Sequence, residues 1–123
     1  MYPQLQTTAT PSTRERGLVA EDIAAEFLRR QKYRILARNL FTPYGEIDIL
    51  AKSGNEYVCV EVRSRHKVST DALAPEDVIT RTKYTHLVRS LLSLAFLQNK
   101  LVRIDLITVE AGRVRKHYQD IEV

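Results

Sequence analysis

Cysteine, tryptophan and long apolar runs are scarce or missing in this chain, and each scarcity excludes a class of protein. Cys59 is the only cysteine among 123 residues, so an intrachain disulfide and a cysteine-rich zinc site are both excluded. Its place inside an apolar stretch predicts a buried thiol and not a nucleophile. Tryptophan is absent and aromatic residues make up 7%, which leaves little surface for a sugar-cleaving carboxylate pair. No apolar run approaches the ~20 residues that cross a bilayer.

The N-terminal segment is polar and lacks the basic start and apolar core of a secretory signal. We therefore expect a disordered tail over residues 1–12, a single domain over residues 13–123, a cytoplasmic location and no membrane contact. The hydrophobic fraction of 44% is ordinary for a domain with one core. The net charge of +4 is compatible with a polyanionic partner and equally with a solvated basic surface.

Apolar periodicity predicts an α/β domain in which helices flank a central mixed sheet, with the order αβββαββ. The predicted helices cover about 13–31 and 80–98, and the predicted strands cover about 33–39, 45–52, 56–65, 101–110 and 114–121. Residues 66–74 are small and polar and predict a loop. Whether the helices share one face of the sheet is left open. The apolar surplus around Leu92 and Phe96 is ordinary core in our interpretation, with a homodimer interface as the alternative.

The second and third strands carry the most informative pattern. Gly54-Asn55 is a strong hairpin signal, and a two-residue loop there places Asp48 opposite Glu61 and Glu46 opposite Arg63. In that register Ile47, Ile49 and Ala51 share one face of the sheet.

Opposed carboxylates lie about 5 Å apart at Cβ and repel each other. A shared proton, a basic neighbour or a metal ion relieves this repulsion, and Mg²⁺ is typically held by one or two carboxylates. On the first helix Glu21 lies at the edge of the apolar stripe, where it can reach the same place.

GEIDIL at 45–50 followed by VEVRSR at 60–65 resembles the motif core of the PD-(D/E)XK nucleases, the restriction-endonuclease-like superfamily that includes Holliday-junction resolvases. More narrowly, the chain resembles the uncharacterised YraN family of bacterial proteins from Gly17 to about Val109. Besides these two segments, the resemblance rests on Gly17, Glu21, Ala24, Asn39, Lys83 and the segment RIDLI at 103–107.

The resemblance implies a role for each matching residue. Asp48 would be the central metal ligand, Glu61 the second ligand and the Val62 carbonyl a further one, with Glu21 joining from the first helix. The cation would be Mg²⁺ or Mn²⁺. Arg63 stands where the superfamily usually has lysine, and arginine stays protonated, so it stabilises charge and is no general base.

Further polar residues complete the predicted site. Four basic residues are candidate phosphate contacts: Arg65, Lys67, Arg81 and Lys83. Glu46 and Asp105 are candidates for structural or supporting roles. For Asp105, which lies behind Arg103 in an apolar strand, a structural salt bridge is favoured over a contact that supports the site.

Three functions follow from these residues. The leading hypothesis is a metal-dependent endonuclease, or a nuclease-like DNA-processing protein, that hydrolyses phosphodiester bonds in branched or nicked DNA. No base-reading motif is visible, so selection by DNA structure is expected. The alternatives are a catalytically weak or inactive nucleic-acid-binding module, suggested by Arg63, and a protein-interaction scaffold with a vestigial acidic cluster.

Overall fold

The computed structural model describes residues 13–65 and 79–122, without the side chains of Thr13, Arg14, Arg16 and Arg65. The predicted tail over residues 1–12, the predicted loop over residues 66–74 and the candidate phosphate contact Lys67 lie outside these ranges. Within them, no helix is long and apolar enough to cross a membrane.

The elements follow the predicted order. The helices are α1 (Thr13–Arg30) and α2 (Arg81–Leu92), followed by a short 3-10 helix (Ala95–Leu97). The strands are β1 (Arg34–Thr42), β2 (Gly45–Ser53), β3 (Glu56–Arg65), β4 (Leu101–Glu110) and β5 (Arg113–Tyr118). They form one mixed sheet in the order β1-β2-β3-β4-β5, in which only the β3–β4 pair of the described strands is parallel. The α/β fold class is confirmed.

The two helices cover opposite faces of the sheet, which the sequence left open. On one face Ala24 and Leu28 of α1 pack against Ile49 and Val60. On the other face Leu87 of α2 belongs to a second buried cluster. Its further members are Ile47, Leu50, Cys59, Ile79, Leu97, Ile104, Leu106 and Ile121. The central strands are therefore covered on both sides, as strands next to a parallel pair usually are.

Cys59 confirms the prediction of a buried thiol. It is fully buried in β3, and burial raises its pKa well above the ordinary thiol range. The charges of Glu61 and Asp48 raise the pKa of Cys59 further. The thiol is therefore held in its unreactive protonated form.

The β2–β3 hairpin has the predicted register. Gly54 and Asn55 form the loop, and pairing runs from Ser53–Glu56 to Ile49–Val60. Gly54 has a φ of +60°, which suits the first position of a two-residue hairpin loop. The pairing between β2 and β3 ends at Ile49–Val60, so the predicted direct pairing of Asp48 with Glu61 is wrong, and the two residues lie just past the end of the ladder.

The pleat of β2 breaks at Asp48. Ile49 packs in the α1 cluster, whereas Ile47 packs with Leu50 in the α2 cluster. The prediction that Ile47 shares a face with Ile49 and Ala51 is therefore wrong. The residue of β1 that corresponds to Asp48 is Asn39, whose φ is +51°. Its neighbours Arg38 and Leu40 pair with Ile49 and Ile47, whereas Asn39 itself forms no pair in the ladder. This paired irregularity takes Asp48 out of the regular alternation of side chains.

The predicted second helix is too long. Helix α2 begins after the Thr80 cap, whose hydroxyl accepts a hydrogen bond from the Lys83 N–H, and ends at Leu92. The Ser93 hydroxyl donates to the Ser90 carbonyl over 2.7 Å, which competes with continuing the helix. Leu92 is 74% exposed, so the apolar run beyond Leu91 does not extend one buried helix face.

Candidate active site

Asp48 lies where β2 and β3 stop pairing. Its Oδ2 accepts a hydrogen bond from the Val62 N–H over 2.9 Å. The Asp48 carboxylate thus accepts the hydrogen bond that a backbone carbonyl of β2 would accept in the regular part of the β2–β3 ladder. The bond fixes the Asp48 carboxylate against β3, beside the neighbouring residue Glu61.

Glu61 is 2% exposed and is flanked by two cations. Arg63 Nη2 lies 3.1 Å from Glu61 Oε2, and Lys83 Nζ of α2 lies 3.9 Å from Glu61 Oε1. The pKa of Glu61 is raised to about 7, chiefly by burial and then by the Asp48 charge, while Lys83 and Arg63 partly offset these effects. Basic neighbours and a hydrogen bond between the Asp48 and Glu61 carboxyls thus relieve part of the repulsion in the protein alone.

Glu21 of α1 reaches the same region from the other face of the sheet. It is 8% exposed, and burial followed by the Asp48 charge raises its pKa. Arg38 and a hydrogen bond from Asn39 act in the opposite direction. Arg38 Nη2 is 3.8 Å from Glu21 Oε1 but only 2.8 Å from Asp22 Oδ1, so Asp22 is its principal partner.

Two carboxylate oxygens in the site have unused bonding capacity. Neither Glu21 Oε1 nor Glu61 Oε1 has a hydrogen-bond partner within the described part of the chain. Buried polar atoms are normally satisfied, so each of these oxygens is a candidate to bind a ligand or an ion. Hard carboxylate oxygens are the donors that Mg²⁺ and Mn²⁺ prefer.

The three carboxylates do not form a closed cage. Across residues 13–65 and 79–122, no three His, Cys, Asp or Glu side chains are grouped so that they could hold a metal ion together. A pair such as Asp48 and Glu61 still suits Mg²⁺, which usually keeps several waters and binds one or two carboxylates. The donor set therefore fits the predicted cation, and the full three-ligand set stays a prediction.

The predicted basic residues differ in their surroundings. Lys83 is half-buried against Glu61, whereas Arg81 is exposed at the start of α2. The side chain of Arg65 and all of Lys67 lie outside the described residues. Lys83 is therefore an ion-pair neighbour of Glu61, whereas the sequence predicted it only as a phosphate contact.

Glu46 does not pair with Arg63. The β2–β3 ladder stops before reaching them, and the partner of Glu46 is Phe41 on β1. Glu46 instead lies on the side of Glu21, whose pKa its charge raises slightly. The prediction of a Glu46–Arg63 pair is wrong because it extended a regular ladder past the irregularity at Asp48.

Asp105 belongs to a separate buried network. It is fully buried and accepts bonds from Arg103 Nε at 3.0 Å and the Asp120 N–H at 2.9 Å. His117 Nε2 lies 2.7 Å from Asp105 Oδ2. Arg103 continues the network by donating to the Tyr33 hydroxyl and to Glu56. The structural salt bridge favoured for Asp105 is present, with Arg103 as its partner, and Asp105 holds β4, β5 and the C-terminal segment together.

Two site residues were missed by the sequence analysis. Arg38 was given no role, although it lies between Glu21 and Asp22. Asn39 enters the sequence analysis only through the family resemblance, although its side chain bonds Glu21. The sequence signal for both residues is that Arg38 and Asn39 interrupt the apolar residues of β1. Such an interruption alone is weak evidence for a functional site.

The fold and the Asp48–Glu61 carboxylate pair define an α/β domain with a polar site at the open end of the β2–β3 hairpin. A sequence model of the family described as "Uncharacterised protein family UPF0102" matches residues 20–109. The chain belongs to this family, as the resemblance to YraN proteins predicted.

Relatives named "UPF0102 protein" match over most of the chain. One from Caulobacter vibrioides (strain NA1000 / CB15N) is 41% identical over 113 residues, covering 89% of this chain and 87% of its own length. One from Aquifex aeolicus (strain VF5) is 35% identical over 106 residues, covering 86% and 95%. One from Fervidobacterium nodosum is 35% identical over 108 residues, covering 84% and 78%.

Proposed function

We propose that the protein is a metal-dependent phosphodiesterase that cleaves DNA, with Asp48 and Glu61 as the carboxylates that hold the cation. The supporting observation is the pairing of the buried Glu61 with the half-buried Asp48: two adjacent carboxylates, one with an unsatisfied oxygen, flanked by Arg63 and Lys83. Keeping such a pair in a small domain costs stability. Carboxylate pairs with a raised pKa occur mainly at functional sites, so binding a ligand explains why this pair is present despite its cost in stability.

Each residue has a distinct role in this proposal. Asp48 is fixed through Oδ2 by the Val62 N–H, and Glu61 supplies the unsatisfied Oε1. Glu21 approaches from α1 as a third carboxylate. A bound Mg²⁺ or Mn²⁺ would supply polarisation of the phosphoryl group and a more acidic water. Membership in the PD-(D/E)XK nuclease superfamily, which the sequence resembles, is part of the same proposal.

Arg63 and Lys83 supply positive charge where negative charge develops on the phosphate. Arg63 remains protonated and acts by electrostatics and hydrogen bonding. Lys83 is a half-buried ammonium 3.9 Å from Glu61 Oε1, so it is a candidate to orient the attacking water by donating hydrogen bonds. In the superfamily that the sequence resembles, a lysine at the position of Arg63 usually orients the water, and here Lys83 of α2 would take over that role.

The test is calorimetric titration of Mg²⁺ and Mn²⁺ into the wild type and Asp48→Asn, followed by cleavage assays on flap, nicked and four-way DNA. We expect binding and cleavage in the wild type and the loss of both in Asp48→Asn. Glu26→Gln is the matched control, because Glu26 is an exposed carboxylate on α1. A wild type that binds neither metal nor DNA would refute the proposal.

A non-catalytic nucleic-acid-binding module is the second candidate. It is favoured by the Arg63–Glu61 ion pair, which occupies an oxygen of the candidate ligand Glu61. This function predicts salt-sensitive DNA binding without cleavage in Mg²⁺ or Mn²⁺.

A further inference from the structure

A cleft of about 530 Å³ lies beside the carboxylate site, on the α1 face of the sheet. It is lined by Gly17, Leu18, Glu21, Asn39, Phe41 and Glu46. Glu21 also interacts with Asp48, so it is common to the cleft and the candidate metal site. A molecule in the cleft therefore lies next to the position where a phosphodiester would be cleaved.

One wall of the cleft is an exposed aromatic ring. Phe41 is 78% exposed, and Leu18 on α1 is 41% exposed. Phe41 is the direct cross-strand partner of Glu46, which fixes it at the cleft and close to the carboxylates. An aromatic face held open to solvent beside a polar site is a surface on which a flat ligand stacks.

The inner part of the cleft is polar and only partly satisfied. Glu21 is 8% exposed, and its Oε1 has no hydrogen-bond partner in residues 13–65 and 79–122. The Asn39 amide binds Glu21, and an amide has both donors and an acceptor to offer. A ligand entering the cleft thus meets an apolar wall and hydrogen-bonding groups behind it.

We propose that this cleft holds one unpaired DNA base, stacked on Phe41 with its edge toward Asn39. Nucleobases combine a flat apolar face with a hydrogen-bonding edge, which matches this lining. In a continuous duplex both faces of every base are covered by neighbours, so the ring selects DNA with an unpaired nucleotide next to the scissile bond. The inference rests on the proposed function and narrows its substrates to flaps, gaps and bulges.

The test uses the fluorescence of 2-aminopurine, which is quenched by stacking. The probe is placed at successive positions in a single-stranded flap, and binding is measured in Ca²⁺ without relying on cleavage. We expect quenching at one flap position with the wild type and Phe41→Tyr, no such quenching with Phe41→Ala, and about tenfold weaker flap binding by that variant. Phe96→Ala is the control, since Phe96 is 51% exposed and leans on Tyr57 outside the cleft.

The outcomes separate the inference from the proposed function. Quenching that survives Phe41→Ala, or equal affinity for flap and fully paired DNA, overturns the inference even if the wild type cleaves DNA. A wild type that binds no DNA of any structure overturns the inference together with the proposed function. Unchanged Mg²⁺ binding by Phe41→Ala shows that the variant is folded.

Discussion

The Val62 N–H donates to Asp48 Oδ2 over 2.9 Å, one residue beyond the catalytic candidate Glu61. The bond lies past the last β2–β3 pair, Ile49–Val60, so it continues the attachment of the two strands by a side chain. The same contact places two carboxylates side by side, and their mutual repulsion is a measurable property of the protein without metal.

Asp48→Asn is expected to lower the pKa of Glu61 below about 7. After burial, the Asp48 charge is the largest cause of the raised pKa, and asparagine removes that charge. The asparagine oxygen still accepts from the Val62 N–H, so the fold should persist. NMR titration of the Glu61 side-chain carboxyl measures the change. Asp22→Asn, at an exposed carboxylate, should leave the Glu61 pKa where it was, and equal values in wild type and Asp48→Asn would contradict the assignment.

Glu61→Gln is expected to stabilise the protein without metal at pH 8 more than at pH 5. The folded-state pKa of Glu61 is raised from 4.5 to about 7, so the folded state binds the proton more tightly than the unfolded state. The stabilisation from protonated Glu61 is complete below about 4.5 and is lost as the pH rises through about 7. Glutamine keeps the neutral form at every pH. Thermal unfolding of both proteins at both pH values gives the comparison, and a variant less stable than wild type at pH 8 would argue against it.

Asp105→Ala is expected to destabilise the fold by about 3–5 kcal/mol, because it leaves Arg103 in a buried ion-pair network without its main partner. Urea denaturation measures the loss. For comparison, Asp22→Asn removes a partly exposed pair with Arg38 and should cost at most about 1 kcal/mol. A cost for Asp105→Ala as small as that would show that the network contributes little.

The stabilisation from Asp105 is also expected to depend on pH. Hydrogen bonds from His117 and Arg103 outweigh burial and lower the pKa of Asp105 from 3.8. The contribution is therefore present above the unfolded pKa of 3.8 and is lost as the pH falls through the lower folded value. Denaturation of wild type and Asp105→Asn at pH 6 and pH 3 should show the difference between them shrinking at the lower pH.

Arg63→Lys is expected to retain Mg²⁺ binding and to cleave DNA at least as fast as wild type, because lysine keeps the positive charge and can also exchange a proton. Arg63→Gln should lower kcat by about 10²–10³, the usual effect of removing a group that stabilises transition-state charge. Single-turnover cleavage of flap DNA compares the three proteins. If Arg63→Gln were as fast as wild type, the guanidinium would have no part in the chemistry.

Local sequence signals predicted much of the fold. Gly54-Asn55 set the hairpin register because few residues other than glycine accept the positive φ of such a loop. Asp48 and Glu61 could be identified from the sequence because charged residues rarely occur within buried apolar strands unless they are paired or functional. The order of elements followed from the change of apolar period between helices and strands.

Other features depend on tertiary packing and could not be predicted in this way. The irregularity at Asp48 is coupled to Asn39 on a different strand, and a period-two pattern cannot show that coupling. The end of α2 at Leu92 was hidden because the residues that follow are also apolar. The contact between Lys83 and Glu61 needed the positions of α2 and β3 relative to each other.

Cys59 gives the molecule an internal reporter of unfolding. It is the only thiol in the chain and lies fully buried in the central strand, so a cysteine-modifying reagent reaches it only when the sheet opens. The rate of modification then follows the opening of β3 without any added label. Repeating the measurement with Mg²⁺ present would show directly how strongly a bound cation holds this strand closed.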